Sequence, residues 1–284
     1  MASEMKGKRV VLTGASRGIG RETALALGRM SADLSLVVRD RARGEAVADE
    51  VRALGGGGDV EVFVADLSSL ADVRRVGAEI LAKHDTIDVL VNNAGALLMD
   101  RQVTKDGYEA TFATNHLAYF LLTELLLEAV KKAPAGRIVN VASEAHRRGT
   151  IDFDDLMGKK SYAGLKAYSA SKLANILFTS ELARRLEGTK VTTNSLHPGV
   201  IASGFALNNK GIVGFAWKLM GPFLMSSEKG ARTTLFLATD PSVAGVSGKY
   251  FSKSAAIKPT REARDAAVAK RLWDVSEELV RPGT

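Results

Sequence analysis

Short, nearly continuous apolar runs alternate along this chain with longer segments whose apolar residues recur every three to four positions. KRVVLTG (8–14), ADLSLVV (32–38), VEVFVAD (60–66), IDVLVNN (87–93), GRIVNVAS (136–143) and KVTTNSLHP (190–198) read as strands. Helical periodicity falls near 19–30, 41–54, 69–83, 104–131 and 163–187, with a further helix at 227–239. GKYFSK (248–253) reads as a last, shorter strand, and the charged tail near 260–281 as helix.

Unbroken apolar strands belong to a sheet buried on both faces. Their alternation with helices makes βαβ units, and right-handed crossovers wrap helices around both sides. The expected fold is α/β, a doubly wound, mostly parallel seven-stranded sheet in a single domain over 1–284. No linker or solenoid-length repeat interrupts it. GGGG (55–58) reads as a flexible loop, since no Lys-Ser or Lys-Thr follows as a phosphate loop would require.

Composition narrows the chemistry. The absence of cysteine excludes disulfides, zinc–thiolate sites and thiol catalysis. The formal charge of +7 could suit nucleic acid or a membrane surface. The basic residues are dispersed, however, and blocks such as RDRARGE are broken by acids, which fits a soluble enzyme for anionic ligands. MASEMKGKRV lacks the apolar core of a signal peptide, and no run approaches the roughly 18 apolar residues of a spanning helix. A cytoplasmic protein without a transmembrane segment is expected.

TGASRGIG (13–20) follows the first strand and opens the first helix. Gly14, Gly18 and Gly20 permit positive φ and close approach of a ligand to bare backbone. Ser16, Arg17 and Ile19 fill the loop, and the new helix turns its unpaired N–H groups toward a pyrophosphate. The bland alternative is a tight strand-to-helix turn. At the end of the second strand, VVRD places Arg39 first and Asp40 behind it. A guanidinium there suits a 2′-phosphate, with Arg17 as a second cation, whereas a carboxylate would take a ribose hydroxyl. The alternative has Arg39 solvated and Asp40 on the ribose.

YSASK (168–172) sits within the long helical run near 163–187. Residues four apart share a helix face, so Tyr168 and Lys172 are neighbours. A free phenol has a pKa of about 10, and a nearby ammonium favours its phenolate, as acid–base catalysis near neutral pH requires. Alone, Y-x-x-x-K usually marks a surface pair. Ser143 ends the fifth strand, where ligands of open parallel sheets bind, or else it caps a loop.

TGxxxGxG, NNAG (92–95), the strand-end Ser143 and YxxxK occur in that order over about residues 7–253. In this the chain resembles the short-chain dehydrogenase/reductase family, classical type, with its Rossmann fold. NNAGALLMDRQVTKDGYEATFATNHLAYFLLTELLL and RIVNVASEAHRRGTIDFDDL look most like its retinol-dehydrogenase-like branch. The resemblance implies Tyr168 as acid/base, Ser143 as hydrogen-bond partner of the reacting oxygen, and Lys172 on the nicotinamide ribose, lowering the Tyr168 pKa. It implies that Asn115 holds a water linking Lys172 to solvent. It places Asp66 and Leu67 at the adenine, and Asn93, Ala94 and Gly95 beside the adenine ribose. Pro198 and Gly199 would lie at the nicotinamide, with Ser203 where relatives usually carry Thr.

The implied activity is NADP(H)-dependent interconversion of an alcohol and a ketone or aldehyde. Hydride passes between coenzyme and carbon while Tyr168 moves the proton. NADP is expected over NAD on the strength of Arg39. Phe205, Phe215, Trp217, Leu219, Met220, Phe223 and Met225 make 200–226 an apolar candidate lid over a lipophilic substrate. No metal site is expected from His116, His146 and His197. Relatives dimerise through the helices holding Asn115 and Tyr168, which implies a homodimer or homotetramer. Alternatives are a non-catalytic NADP-binding sensor or scaffold, and a sugar-nucleotide epimerase. The three residues between the first two glycines disfavour the epimerase.

Overall fold

The structure, a computed structural model, describes residues 5–199 and 226–281. Eight strands form one sheet: β1 (Arg9–Thr13), β2 (Asp33–Val38), β3 (Val60–Val64), β4 (Val89–Asn92), β5 (Arg137–Val141), β6 (Thr192–His197), β7 (Tyr250–Ser252) and β8 (Ala255–Ile257). Their spatial order is β3-β2-β1-β4-β5-β6-β7-β8, parallel throughout except for the β7–β8 pair. The order reverses between β1 and β4, which opens a crevice at the carboxyl ends of those strands.

The seven strands read from the sequence are present, each within two residues of its expected ends. The eighth corrects the expected count. It folds back on β7 through Lys253 and Ser254, both at positive φ (49° and 59°), as a tight two-residue hairpin requires. A three-residue AAI strand after Lys-Ser carries no turn signal of its own.

The helices are α1 (Gly18–Arg29), α2 (Arg41–Ala53), α3 (Leu70–Lys83), α4 (Ala118–Lys132), α5 (Gly164–Arg185), α6 (Ser227–Thr239) and α7 (Ala266–Leu279). A short α turn, Ala110–Phe112, and a π-helical turn, Ala113–Leu117, lead into α4. Helix was expected from 104, but Val103 and Glu109 form a β-bridge there. The Glu109 carboxylate then accepts the Thr111 and Phe112 amides and starts the helix at 110.

The strand alternation sorts the core into two layers. Val11 points into a cluster with α3, α4, α5 and α7, whereas Val10 and Leu12 point into one with α1, α2 and α6. Helix α7 buries Ala269, Leu272, Trp273 and Ser276, a single stripe at helical spacing. The Trp273 ring stacks on Phe178 of α5 at 5.7 Å and meets Phe120 of α4 edge-on at 4.8 Å. The Arg185 guanidinium lies 4.2 Å from the Trp273 ring. Helix α7 therefore covers the outer faces of α4 and α5. Among the described residues no helix is long and apolar enough to cross a membrane.

Candidate active site

The glycine loop is held from the neighbouring strand. Gly14 donates its N–H to Val37 O at 2.8 Å and has φ +71°, a conformation open to glycine. A Cβ on Gly14 would lie 2.8 Å from Ala94 Cα, and one on Gly20 would lie 2.2 Å from Gly14 O. These positions admit no side chain, so the backbone stays bare where a ligand would approach. Helix α1 starts at Gly18 with no side-chain cap from Arg17 and no acid in its first turn. Its first amides and the positive end of its dipole are left for an anion. Ser16 and Ile19 are half-buried, and Arg17 is exposed.

NNAG is the other wall. Asn93 Nδ2 donates to Thr13 O (2.8 Å) and Gly14 O (3.3 Å), while the amides of Asn93 and Ala94 both reach Thr13 Oγ1. Asn93 thus braces the glycine loop, and Ala94 and Gly95 continue from it. Asn92 is buried one residue earlier. Its Nδ2 donates to Thr123 Oγ1 and to Asn140 Oδ1, whose own amide reaches Thr179 and Thr193. This polar network ties the ends of β4, β5 and β6 to α4 and α5.

Three strand-end residues adopt specific roles. Arg39 is exposed beyond β2. Asp40 caps α2, accepting the Arg43 amide at 3.1 Å, and also faces the Arg43 guanidinium at 3.5 Å. Asp66 is exposed beyond β3 and accepts the Ser68 amide and hydroxyl, while Leu67 is buried. Ser69 caps α3.

The remaining groups meet at the end of β5. Lys172 is buried on α5 and donates Nζ to Val141 O at 2.9 Å. Its Nζ lies 5.8 Å from the Tyr168 ring centre and 5.7 Å from the Tyr119 ring centre. Tyr119 in turn donates its hydroxyl to Ala94 O at 2.8 Å. Ser143 caps the 3-10 turn Glu144–Arg148, accepting the Ala145 amide at 3.2 Å. Its hydroxyl also hydrogen-bonds Tyr168. Ser143 thus caps the turn, and the same hydroxyl meets the phenol.

The electrostatics differ from the expectation that Lys172 lowers the Tyr168 pKa. Burial pushes the Tyr168 phenol up to about 12, and the hydrogen bond with Ser143 opposes this only in part. Burial pushes Lys172 down to about 7. The physical reason is symmetrical: desolvation penalises phenolate and ammonium alike. A neutral phenol thus stands beside an amine poised near neutrality. Burial also raises the Tyr119 phenol.

Asn115 lies in the π-helical turn. Its Oδ1 accepts the Ala96 amide at 2.7 Å, and its Nδ2 donates to Ala96 O and to Ser171 Oγ, each at 2.9 Å. Ser171 donates its hydroxyl to Tyr168 O at 2.8 Å. The Asn115 side chain is thus used in joining the NNAG segment to α5. Pro198 and Gly199 leave β6 beside this cluster, with Gly199 at φ +90°. Ser203 and the apolar segment 200–225 lie outside the described residues. Among the described residues no three His, Cys, Asp or Glu side chains group as metal ligands.

Sequence reasoning does not single out Thr13, Tyr119 or Ser171. Tyr119 carries a signal: it follows Asn115 by four residues and so shares its helix face. Thr13 and Ser171 carry none, being small hydroxyls in strand and helix.

Hydrogen bonds join the glycine loop, the NNAG segment and the helix of Tyr168 and Lys172 near the carboxyl ends of β1, β4 and β5. Residues 8–210 match the family model described as short chain dehydrogenase. Mouse retinol dehydrogenase 12 is 43% identical over 277 residues, covering 98% of this chain and 87% of its own length. Human retinol dehydrogenase 14 is 42% identical over 292 residues, covering 97% of this chain and 87% of its own. An uncharacterised protein from Mycobacterium paratuberculosis superposes with a TM-score of 0.77 at 34% identity, covering 97% of this chain and 94% of that one. A structure from Beutenbergia cavernae, described as an NAD(P)-dependent gluconate 5-dehydrogenase and holding NADP at low occupancy, superposes at 0.70 with 29% identity, covering 87% of this chain and 95% of that one. The chain therefore belongs to the short-chain dehydrogenase/reductase family, in its retinol-dehydrogenase-like branch, and is an oxidoreductase of alcohol and carbonyl groups that works with a nicotinamide coenzyme.

Proposed function

We propose that this protein is an NADP(H)-dependent carbonyl reductase or alcohol dehydrogenase for a lipophilic substrate, with Tyr168 as acid/base. The observation that carries the reading is Lys172, buried with its Nζ near both the Tyr168 and Tyr119 rings, while Tyr168 hydrogen-bonds Ser143. A core helix has no use for such an amine, since burying it without a counter-charge is costly. The coenzyme, when bound, supplies or accepts hydride.

The chain's own groups do the rest. Tyr168 gives a proton to the substrate oxygen, and the Ser143 hydroxyl holds that oxygen as charge develops on it. Lys172 takes the nicotinamide ribose hydroxyls, which replace the water that burial removed. Once so solvated it carries its proton and favours the phenolate. A water held at Asn115 would pass a proton from solvent to Lys172, and so back to Tyr168 once the phenol has given up its own. Gly14, Gly18 and Gly20 admit the pyrophosphate, and Asp66, Leu67 and Asn93–Gly95 take the adenosine half. Arg39 and Arg17 take the 2′-phosphate. Support for this last point is that Asp40 caps α2 while Arg39 stands exposed just past β2.

The lipophilic substrate class follows the retinol dehydrogenases among the relatives. Single-domain organisation and a cytoplasmic location belong to the same reading. A homodimer or homotetramer belongs to the same reading, with α7 packed on α4 and α5, the helices that pair in relatives. The test is Tyr168→Phe, assayed by NADPH oxidation with lipophilic ketones and aldehydes. Turnover should fall by about 10²–10⁴ while NADPH binding changes less than about threefold. Undiminished turnover would remove Tyr168 from the chemistry. A wild type that binds NADPH but turns over no carbonyl or alcohol would favour the sensor.

A further inference from the structure

His197 ends β6, pairing with Ser252 of β7, and directly precedes Pro198–Gly199. Both ring nitrogens are engaged. Nδ1 accepts the Gly199 N–H at 3.2 Å, and Nε2 lies 3.3 Å from Glu144 Oε2. The ring stacks on Tyr250 at 6.0 Å with an interplanar angle of 27°. An Nδ1 that accepts carries no proton, so the neutral ring holds its proton on Nε2, facing the carboxylate. Gly199 has φ +90°. Glycine has little intrinsic preference for that conformation, so the bond to its amide defines the turn.

We propose that His197 is a positioning residue for coenzyme binding: its unprotonated Nδ1 latches the Gly199 amide and fixes the Pro198–Gly199 turn at the nicotinamide end, and protonation of the ring opens the latch. The proposal rests on the coenzyme reading above. Protonating Nδ1 sets one N–H against another, so the same nitrogen cannot serve both states. The groups around the ring are Glu144, His146 and Arg147 of the turn after β5, Tyr250 of β7, and Lys253 of the β7–β8 hairpin. Burial, the cations Arg147 and Lys253, and His146 when it is protonated oppose the imidazolium, and only Glu144, itself 44% exposed, favours it. The balance holds the His197 pKa below its ordinary 6.5, so the latch is closed at pH 7–8 and opens on acidification.

His197→Asn and His197→Phe test this in the full chain. Asparagine offers an Oδ1 acceptor in place of Nδ1 and does not titrate. Phenylalanine keeps the ring against Tyr250 without an acceptor. NADPH affinity is read by nucleotide fluorescence from pH 8.0 down to the pH at which the His197 ring has titrated. At pH 8, H197N should bind within about threefold of wild type, and H197F about tenfold more weakly, the value of one hydrogen bond. On acidification from pH 8 through the titration of the His197 ring, followed by its NMR shift, the wild type should lose about threefold or more in affinity relative to H197N. The 2′-phosphate also titrates near pH 6, but equally for both proteins, and cancels in the ratio. A flat ratio of wild type to H197N overturns the latch, as does wild-type affinity in a folded H197F. An H197F that fails to fold leaves the decision to that ratio. A wild type that binds no NADPH overturns the coenzyme reading itself, and the latch with it.

Discussion

Replacing Lys172 with methionine should stabilise the coenzyme-free protein at pH 7 while abolishing turnover. Burial holds this amine near pH 7 instead of its ordinary 10.5. Each tenfold in proton affinity is worth about 1.4 kcal/mol, so the folded state at pH 7 forgoes up to about 4 kcal/mol relative to an unperturbed lysine. Relaxation lowers that figure, and the thioether would leave Val141 O with only the longer Asn175 contact at 3.4 Å. A net gain of about 2 kcal/mol is expected, equivalent to a few degrees in Tm. The sign follows from proton counting. Between pH 7 and 10.5 the unfolded chain binds a proton at Lys172 that the folded chain does not, so wild-type stability rises with pH.

Tyr168 acts the other way only above pH 10, because its folded phenol holds its proton up to about 12. Urea unfolding of wild type and K172M at pH 7, 8 and 9 isolates the lysine. The advantage of K172M should shrink by about 1 kcal/mol per pH unit. Parallel curves, or a K172M variant less stable at pH 7, would refute the claim that desolvation governs this side chain.

Two further outcomes are expected. Arg39→Glu should shift coenzyme preference from NADPH toward NADH by about tenfold or more in kcat/KM, since a carboxylate would repel a 2′-phosphate and accept a ribose hydroxyl; an unchanged ratio would remove Arg39 from phosphate recognition. Trp273→Ala should cost about 3–5 kcal/mol in urea unfolding, because the ring is 5% exposed and packs on Phe120, Phe178 and Arg185; a loss below about 1 kcal/mol would mean that α7 is not docked in solution.

The strands are legible as apolar runs because buried parallel strands must be apolar along their whole length. The glycine loop is equally legible, since Gly14 and Gly20 sit where any Cβ would clash. Legibility fails where a residue's role depends on a distant neighbour. Asp40 follows Arg39 in VVRD, and only the fold shows that it caps the start of α2. The family resemblance gives Asn115 a water, yet its side chain is consumed by Ala96 and Ser171. The π-helical turn at Ala113–Leu117 leaves no mark in a hydrophobic pattern that differs from an α-helix by a single residue of register.

The amino-acid order alone determined the α/β layering, the glycine loop at the first strand–helix junction, and the Tyr168–Lys172 pair one turn apart. These are local properties, set by periodicity and by the steric needs of single residues. Tertiary structure decided the rest. It set the ionisation balance of that pair, because burial is a property of everything packed around a residue and opposes both charges at once. It laid α7 over α4 and α5, because only folding brings Trp273 to Phe120 and Phe178 from distant parts of the chain. It turned His197, a strand-end residue with no motif of its own, into the acceptor for Gly199, because that contact exists only where β6 ends beside Glu144 and Tyr250.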